Sequence, residues 1–153
     1  MLKSAGILLY RVKNGKLEVL LVHPGGPFWA KKDYGAWSIP KGLVGEGEEV
    51  FGAAKREFKE ETGFEADGKF LDLGEILQPS RKSVHVWAVE GDLDTSKISS
   101  NTFEIEWPKN SGLLKRYPEV DRAEWFELNE AKRKILKGQI GFLERLAKML
   151  NLS

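Results

Sequence analysis

Apolar residues in this chain fall into short runs separated by turn residues. Residues 5–12 (AGILLYRV) and 17–22 (LEVLLV) are Leu-, Ile- and Val-rich and flank Asn14-Gly15, a pair that tolerates positive φ, so they read as a β-hairpin. The stretch from Pro24 to Ala36 mixes Pro and Gly with scattered aromatics and reads as a long loop. Residues 49–61 have helical composition and stop at Gly63, a C-cap residue. Lys69–Leu77 and Ser83–Val89 read as strands, and residues 91–118 as a long irregular connection of the kind that carries function. Ala123–Leu128 (AEWFEL) is a further strand on which Trp125 and Phe126 alternate, so one of the two is buried. Asn129 is placed to cap a closing helix that runs to about Leu150, with an interruption near Gly138. This order of strands and helices predicts a mixed sheet with helices packed against it.

The 153 residues suit one domain spanning 1–153, and a domain of that size buries roughly 70% of its unfolded surface without disulfides or a structural metal. There is no cysteine, which excludes a thiol nucleophile, a redox dithiol and a Cys-based zinc site; His23 and His85 are the only histidines. With 24 basic and 23 acidic residues the chain is nearly neutral, unlike a protein that coats a polyanion. No apolar run approaches the roughly 20 residues of a membrane span. The run Ala5–Tyr10 is short and lacks a small-residue cleavage site, so it does not read as a signal peptide. The expectation is a soluble cytoplasmic protein.

The segment 55–61 reads KREFKEE. At 100° per residue, with Glu57 set at zero, Glu60 falls near −60° and Glu61 near +40°. Val50, Ala53, Ala54 and Phe58 lie on that same side, while Gly52, Lys55 and Lys59 lie opposite. The three glutamates therefore share the apolar face. Carboxylates about 6 Å apart repel by roughly 3 kcal/mol per pair at an effective dielectric of 20, so the cluster needs protons or cations to neutralise it. Oxygen donors select hard ions, Mg²⁺ with Mn²⁺ as a substitute, and Mg²⁺ held by carboxylates completes its shell with water and phosphate oxygens. Arg56, near −100°, is placed to hold a carboxylate. Before the helix, Gly42, Gly45 and Gly47 allow backbone to approach a bulky anion, and Glu48 and Glu49 stand where a helix dipole favours acid. A phosphate-handling metal site follows from these residues alone.

Residues 42–64 read GLVGEGEEVFGAAKREFKEETGF, and Gly42, Glu48, Arg56, Glu57, Phe58, Glu60, Glu61, Gly63 and Phe64 fill every defined position of the Nudix box, which this segment resembles. The resemblance implies an α/β/α sandwich around a mixed central sheet. It also implies hydrolysis of a nucleoside diphosphate linked to another group, by water attack on phosphorus with divalent cations. Carried over by position, Glu57, Glu60 and Glu61 bind metal together with the Lys41 carbonyl, Arg56 orients a glutamate, and Glu48 supports them. The general base is either a box glutamate or one from a later loop. Glu119, six residues before Trp125, matches the spacing of a metal-binding glutamate in some members, with Glu104 and Glu106 as rivals.

Trp37–Gly42 (WSIPKG) is similar to the WxxPKG of diadenosine and diphosphoinositol polyphosphate hydrolases, and Lys41 adds a cation suited to extra phosphates. Arg81, Lys82 and His85 offer further phosphate contacts. Positions 80–82 are Ser, Arg and Lys, where diadenosine polyphosphate hydrolases often carry a base-stacking tyrosine; Pro79 sits at a spacing associated with ADP-ribose hydrolases, the alternative substrate class. Phe28, Trp29, Tyr34, Trp37, Trp87 and Trp107 are available to stack a base. The expected partner is a small nucleotide bound by a monomer or homodimer, with neither membrane nor nucleic acid involved. Two other classes remain: a non-catalytic nucleotide-binding domain, which would be expected to lack box carboxylates that are all present here, and a capped-RNA hydrolase, for which the only basic stretch is Lys132, Arg133, Lys134 and Lys137.

Overall fold

The computed structural model describes residues 2–152. Strands β1 (Lys3–Lys13) and β2 (Lys16–Pro24) form the expected hairpin, with Asn14 and Gly15 at φ 53° and 76°. A short β3 (Lys41–Leu43) leads to helix α1 (Val50–Thr62), which ends at Gly63 with φ 81°. Then come β4 (Phe70–Leu77), β5 (Ser83–Glu90), β6 (Thr102–Glu106), β7 (Leu114–Pro118), β8 (Val120–Glu127), α2 (Leu128–Lys134) and α3 (Ile140–Leu150).

The main sheet has six strands in the order β4-β5-β1-β2-β8, with β3 pairing β1. Among the described strands β1 and β5 are the parallel pair; β1–β2, β1–β3, β2–β8 and β4–β5 are antiparallel, so the sheet is mixed as anticipated. Strand β1 is central and buried on both faces, which is why its sequence is a continuous apolar run. Its odd residues Ala5, Ile7 and Leu9 meet Ala53, Ala54 and Phe58 of α1. Leu8 and Tyr10 belong to the opposite core, with Trp37, Phe142, Leu143 and Leu146. Helices thus cover both faces, giving three layers.

Two local readings change. The connection 91–118 is not irregular throughout, since β6 and β7 pair as a separate two-stranded ribbon. Its alternation of Phe103 and Ile105 with Glu104 and Glu106 is a strand pattern, but one too short to stand out from the turn residues around it. Asn129 does not cap the closing helix: α2 already begins at Leu128, with Glu127 in the cap position. The break near Gly138 is real. There Gln78 Nε2 donates to the Gly138 carbonyl at 3.0 Å, and a Cβ at Gly138 would overlap the Gln78 carboxamide. As expected of the Trp125–Phe126 pair, Phe126 is buried and Trp125 half-buried.

That break also fixes the segment leading into β3. The Trp37 N–H donates to the Lys134 carbonyl, and the Leu136 N–H to the Trp37 carbonyl. Buried Gln139 accepts the Ile39 N–H at 2.9 Å and donates to Ser38 Oγ at 3.0 Å. Residues 37–41 are therefore held from one face of the sheet while Lys41 and Gly42 serve the other. Among the described residues no helix is long and apolar enough to cross a membrane.

Candidate active site

The loop between β3 and α1 closes on Arg56. Glu48 accepts the Gly45 N–H at 2.8 Å and a two-pronged contact from Arg56, Nε at 2.7 Å and Nη2 at 3.0 Å. The same guanidinium donates to the Leu43 carbonyl, to Glu57 at 3.0 Å and to Glu60 at 2.7 Å. Arg56 thus gathers three carboxylates and not one, and these contacts hold Glu48 ionised, with its pKa lowered to about 2. Gly42 lies against Glu57 so closely that a Cβ there would overlap the carboxylate. Only glycine lets β3 pass at that distance.

The three helix glutamates point inward to different degrees. Glu60 keeps 39% of its side chain exposed and Glu57 16%, whereas Glu61 is buried at 7%. Burial, and then the neighbouring Glu57 carboxylate, push Glu61 up to about 9. Burial followed by Glu60 raises Glu57 as well. The repulsion anticipated from the sequence is therefore relieved by a proton on Glu61 and by the charge of Arg56. Lys41 is half-buried; desolvation lowers its pKa, the facing Glu61 opposes that, and Lys82 reinforces it.

Glu119 is brought to this cluster from far along the chain. It lines a cavity of ≈ 230 Å³ together with Lys41, Glu61, Trp29 and Ser38, and its charge raises both Glu57 and Glu61. Its peptide is fixed on both sides. The Glu119 N–H donates to the Asn101 carbonyl at 2.8 Å, the Asn101 N–H donates to the Glu60 carbonyl at 2.7 Å, and the Glu119 carbonyl accepts the Gly25 N–H at 2.8 Å. A Cβ at Gly25 would overlap the Pro118 carbonyl. Asn101 and Gly25 were not legible as site residues, because their roles are backbone bonds between distant segments. Buried His23 is a third such pin: Nδ1 lies 2.9 Å from the Asp121 carboxylate, and Nε2 donates to the Lys32 carbonyl at 2.6 Å. The rivals to Glu119 are engaged elsewhere. Glu104 pairs with Arg116 at 2.9 Å, and Glu106 accepts the Asn110 and Gly112 N–H groups in the turn of the ribbon.

The phosphate contacts expected beyond the box are mixed. Lys82 is exposed but near enough to act on Lys41, and Arg81 sits in the exposed β4–β5 turn at φ 63°. His85 is bound to Asp72 at 2.6 Å and stacked on Trp87 at 3.9 Å. Trp37 requires a correction. It is 1% exposed, donates its indole N–H to Asp33, and packs edge-on against His23 and Phe126, so it belongs to the core and offers no ring face to a ligand.

The donors fit a hard cation: all are oxygens, and they include a buried carboxyl that would lose its proton to an ion. Among the described residues no three His, Asp or Glu side chains are arranged to hold an ion as they stand; Arg56 occupies oxygens of both Glu57 and Glu60.

The NUDIX domain model of this family matches residues 2–146. An asymmetrical bis(5'-nucleosyl)-tetraphosphatase of Caenorhabditis elegans is 41% identical over 147 residues, covering 92% of this chain and 98% of its own. The crystal structure of a C. elegans Ap4A hydrolase binary complex matches with a TM-score of 0.63, over 99% of this chain and 98% of that one; counted on that match, identity is 25%. Nudix hydrolase 5 of Arabidopsis thaliana is 31% identical over 119 residues, 77% of this chain but 34% of its own length, so the chain spans about a third of that plant relative. A profile over nearly the whole chain, the three-layer fold and the filled box agree: the chain belongs to the Nudix family.

Proposed function

We propose that this protein is a Mg²⁺-dependent pyrophosphohydrolase of nucleoside polyphosphates, with diadenosine polyphosphates the favoured substrates. The observation that carries this reading is the grouping of Lys41, Glu61 and Glu119 around one cavity beside Glu57. A lysine within an acidic cluster suits a substrate with more phosphates than a metal-carboxylate site alone would neutralise. The C. elegans tetraphosphatase, similar over nearly all of both chains, supports the same substrate class.

Glu57, Glu60, Glu61 and the Lys41 carbonyl would hold the ion, with Mn²⁺ as a substitute. When bound, the ion would neutralise phosphate charge and acidify an attacking water. Glu57 and Glu60 would exchange Arg56 for it, leaving Arg56 on Glu48 to keep the helix start in place. Glu119 is the base we assign to take the proton from water as it attacks phosphorus, while the bridging oxygen leaves with the second phosphate group. The Lys41 ammonium would draw a neighbouring phosphate into line, with Lys82 behind it. Pro79, which suggested ADP-ribose, is accounted for by its turn: the Arg81 N–H donates to the Gln78 carbonyl across it.

Phosphate release with Mg²⁺ tests the reading, comparing diadenosine tetraphosphate, ADP-ribose, 8-oxo-dGTP and a diphosphoinositol polyphosphate, with Glu60→Gln as the control. Conversion of the tetraphosphate to ATP and AMP well above the others is expected. Preference for ADP-ribose would reassign the substrate and reduce Lys41 to a packing role.

A further inference from the structure

A second cavity, of ≈ 430 Å³, opens beside the first, and Pro24, Trp29 and Glu119 line both. Its chemistry is different. Pro27, Phe28, Trp29, Phe103 and Ile105 form its walls, and Glu119 at the junction is the only charged residue among the lining. One wall is the loop after β2, the other the β6–β7 ribbon. They meet closely at Gly26, where φ is 95° and a Cβ would come within 2.9 Å of Phe103 Cζ. The walls are braced. Phe28 and Trp29 pack edge-on at 5.2 Å, the Lys32 ammonium caps Phe28 at 3.9 Å, and Phe103 leans on Tyr117 at 6.2 Å. His23 ties this loop to β8 through the Lys32 carbonyl and Asp121. With Trp29 at its edge and Lys32 over its ring, Phe28 nonetheless remains 60% exposed, an aromatic surface braced in place and open to a ligand.

We propose that this cavity holds the nucleobase of the substrate, stacked against Phe103 and the Phe28–Trp29 pair; the assignment rests on the nucleotide reading above and deepens it. Continuity with the carboxylate cavity puts the base one step from the phosphates, with Glu119 between them. No lysine or arginine lines this cavity, so an inositol phosphate or a phosphate chain would gain nothing by entering it, whereas a flat ring gains apolar and π contact. The volume lies in the range of small-ligand sites. The β6–β7 ribbon, which lies outside the main sheet, thereby becomes the element that separates nucleoside substrates from other diphosphates.

Isothermal titration of the full chain in Mg²⁺ tests this with AMP and, separately, inorganic pyrophosphate, in wild type, Phe103→Ala and Phe103→Leu. Both variants should weaken AMP binding by roughly 5- to 100-fold, the measured range for removing one aromatic stacking partner, and leave pyrophosphate unchanged. Leucine keeps apolar bulk at the position, so a folding defect confined to the alanine variant does not obscure the outcome. Unchanged AMP affinity in both variants, an equal loss for pyrophosphate, or wild type binding AMP no tighter than pyrophosphate would overturn the assignment. AMP is not turned over, so the base site stands or falls independently of whether diadenosine tetraphosphate is hydrolysed.

Discussion

Helices α1 and α3 cover opposite faces of the same sheet and bury different chemistry. The 11 residues of α3 bury Phe142, Leu143, Leu146 and Ala147, all hydrocarbon. The 13 residues of α1 bury Ala53, Ala54 and Phe58 in the same manner, but also Glu61, with Glu57 half-buried one turn before it. One face is a packed core. The other gives up part of its packing to hold carboxylates out of water, where ionisation is costly. Under the proposed function the difference teaches that α1 is shaped by what it would bind and α3 by what it must stabilise, and substitutions on the two faces should separate activity from stability.

The largest effect is expected beside α1. Glu119→Gln should lower kcat by about 10²–10⁴-fold, the usual contribution of a positioned base, with the melting temperature unchanged because the residue is exposed. Near-normal turnover would remove Glu119 from the chemistry. On the opposite face, Leu146→Ala should cost about 2–5 kcal/mol in denaturant unfolding while leaving kcat per folded molecule intact, since Leu146 is fully buried and distant from the acids. A specific loss of turnover there would break the division between the faces.

Glu61→Gln should behave oppositely, lowering turnover less than Glu119→Gln yet stabilising the metal-free protein at pH 8 by about 1–3 kcal/mol. The sign follows from the raised pKa. Between the ordinary carboxyl value and about 9 the folded protein keeps a proton that the unfolded chain has lost, so wild-type stability falls as pH rises through that window. Urea unfolding at pH 5 and pH 8 with a chelator present should show this slope, and the glutamine variant should flatten it. The smallest effect is expected at Glu104→Gln and Glu106→Gln, which should leave turnover within about twofold, as expected of surface positions committed to the ribbon.

The parts of the fold set by local rules were legible in advance. The β1–β2 hairpin follows from Asn14-Gly15, and the inward turn of the α1 glutamates follows from helical periodicity, although Glu60 is more exposed than its angle alone implied. What required the structure is long-range. Arg56 reaches Glu48 eight residues earlier as well as Glu60, and Asn101 links Glu60 to Glu119 through backbone groups that carry no side-chain signature. Among the aromatics, sequence cannot say which face inward: Trp37 went to the core, while Phe28 stayed at the surface beside Phe103, which the sequence did not single out.

The identity of α1 as a cation site is tested most directly by titrating Mn²⁺ into chelator-treated protein at pH 7.5 in two buffers of different ionisation enthalpy. Glu61 holds a proton there, so an ion binding through it must expel that proton. Saturable binding with release of about one proton per ion, weakened and without release in Glu61→Gln, is the predicted result. No binding to wild type, or binding with the same proton count in the glutamine variant, would contradict it.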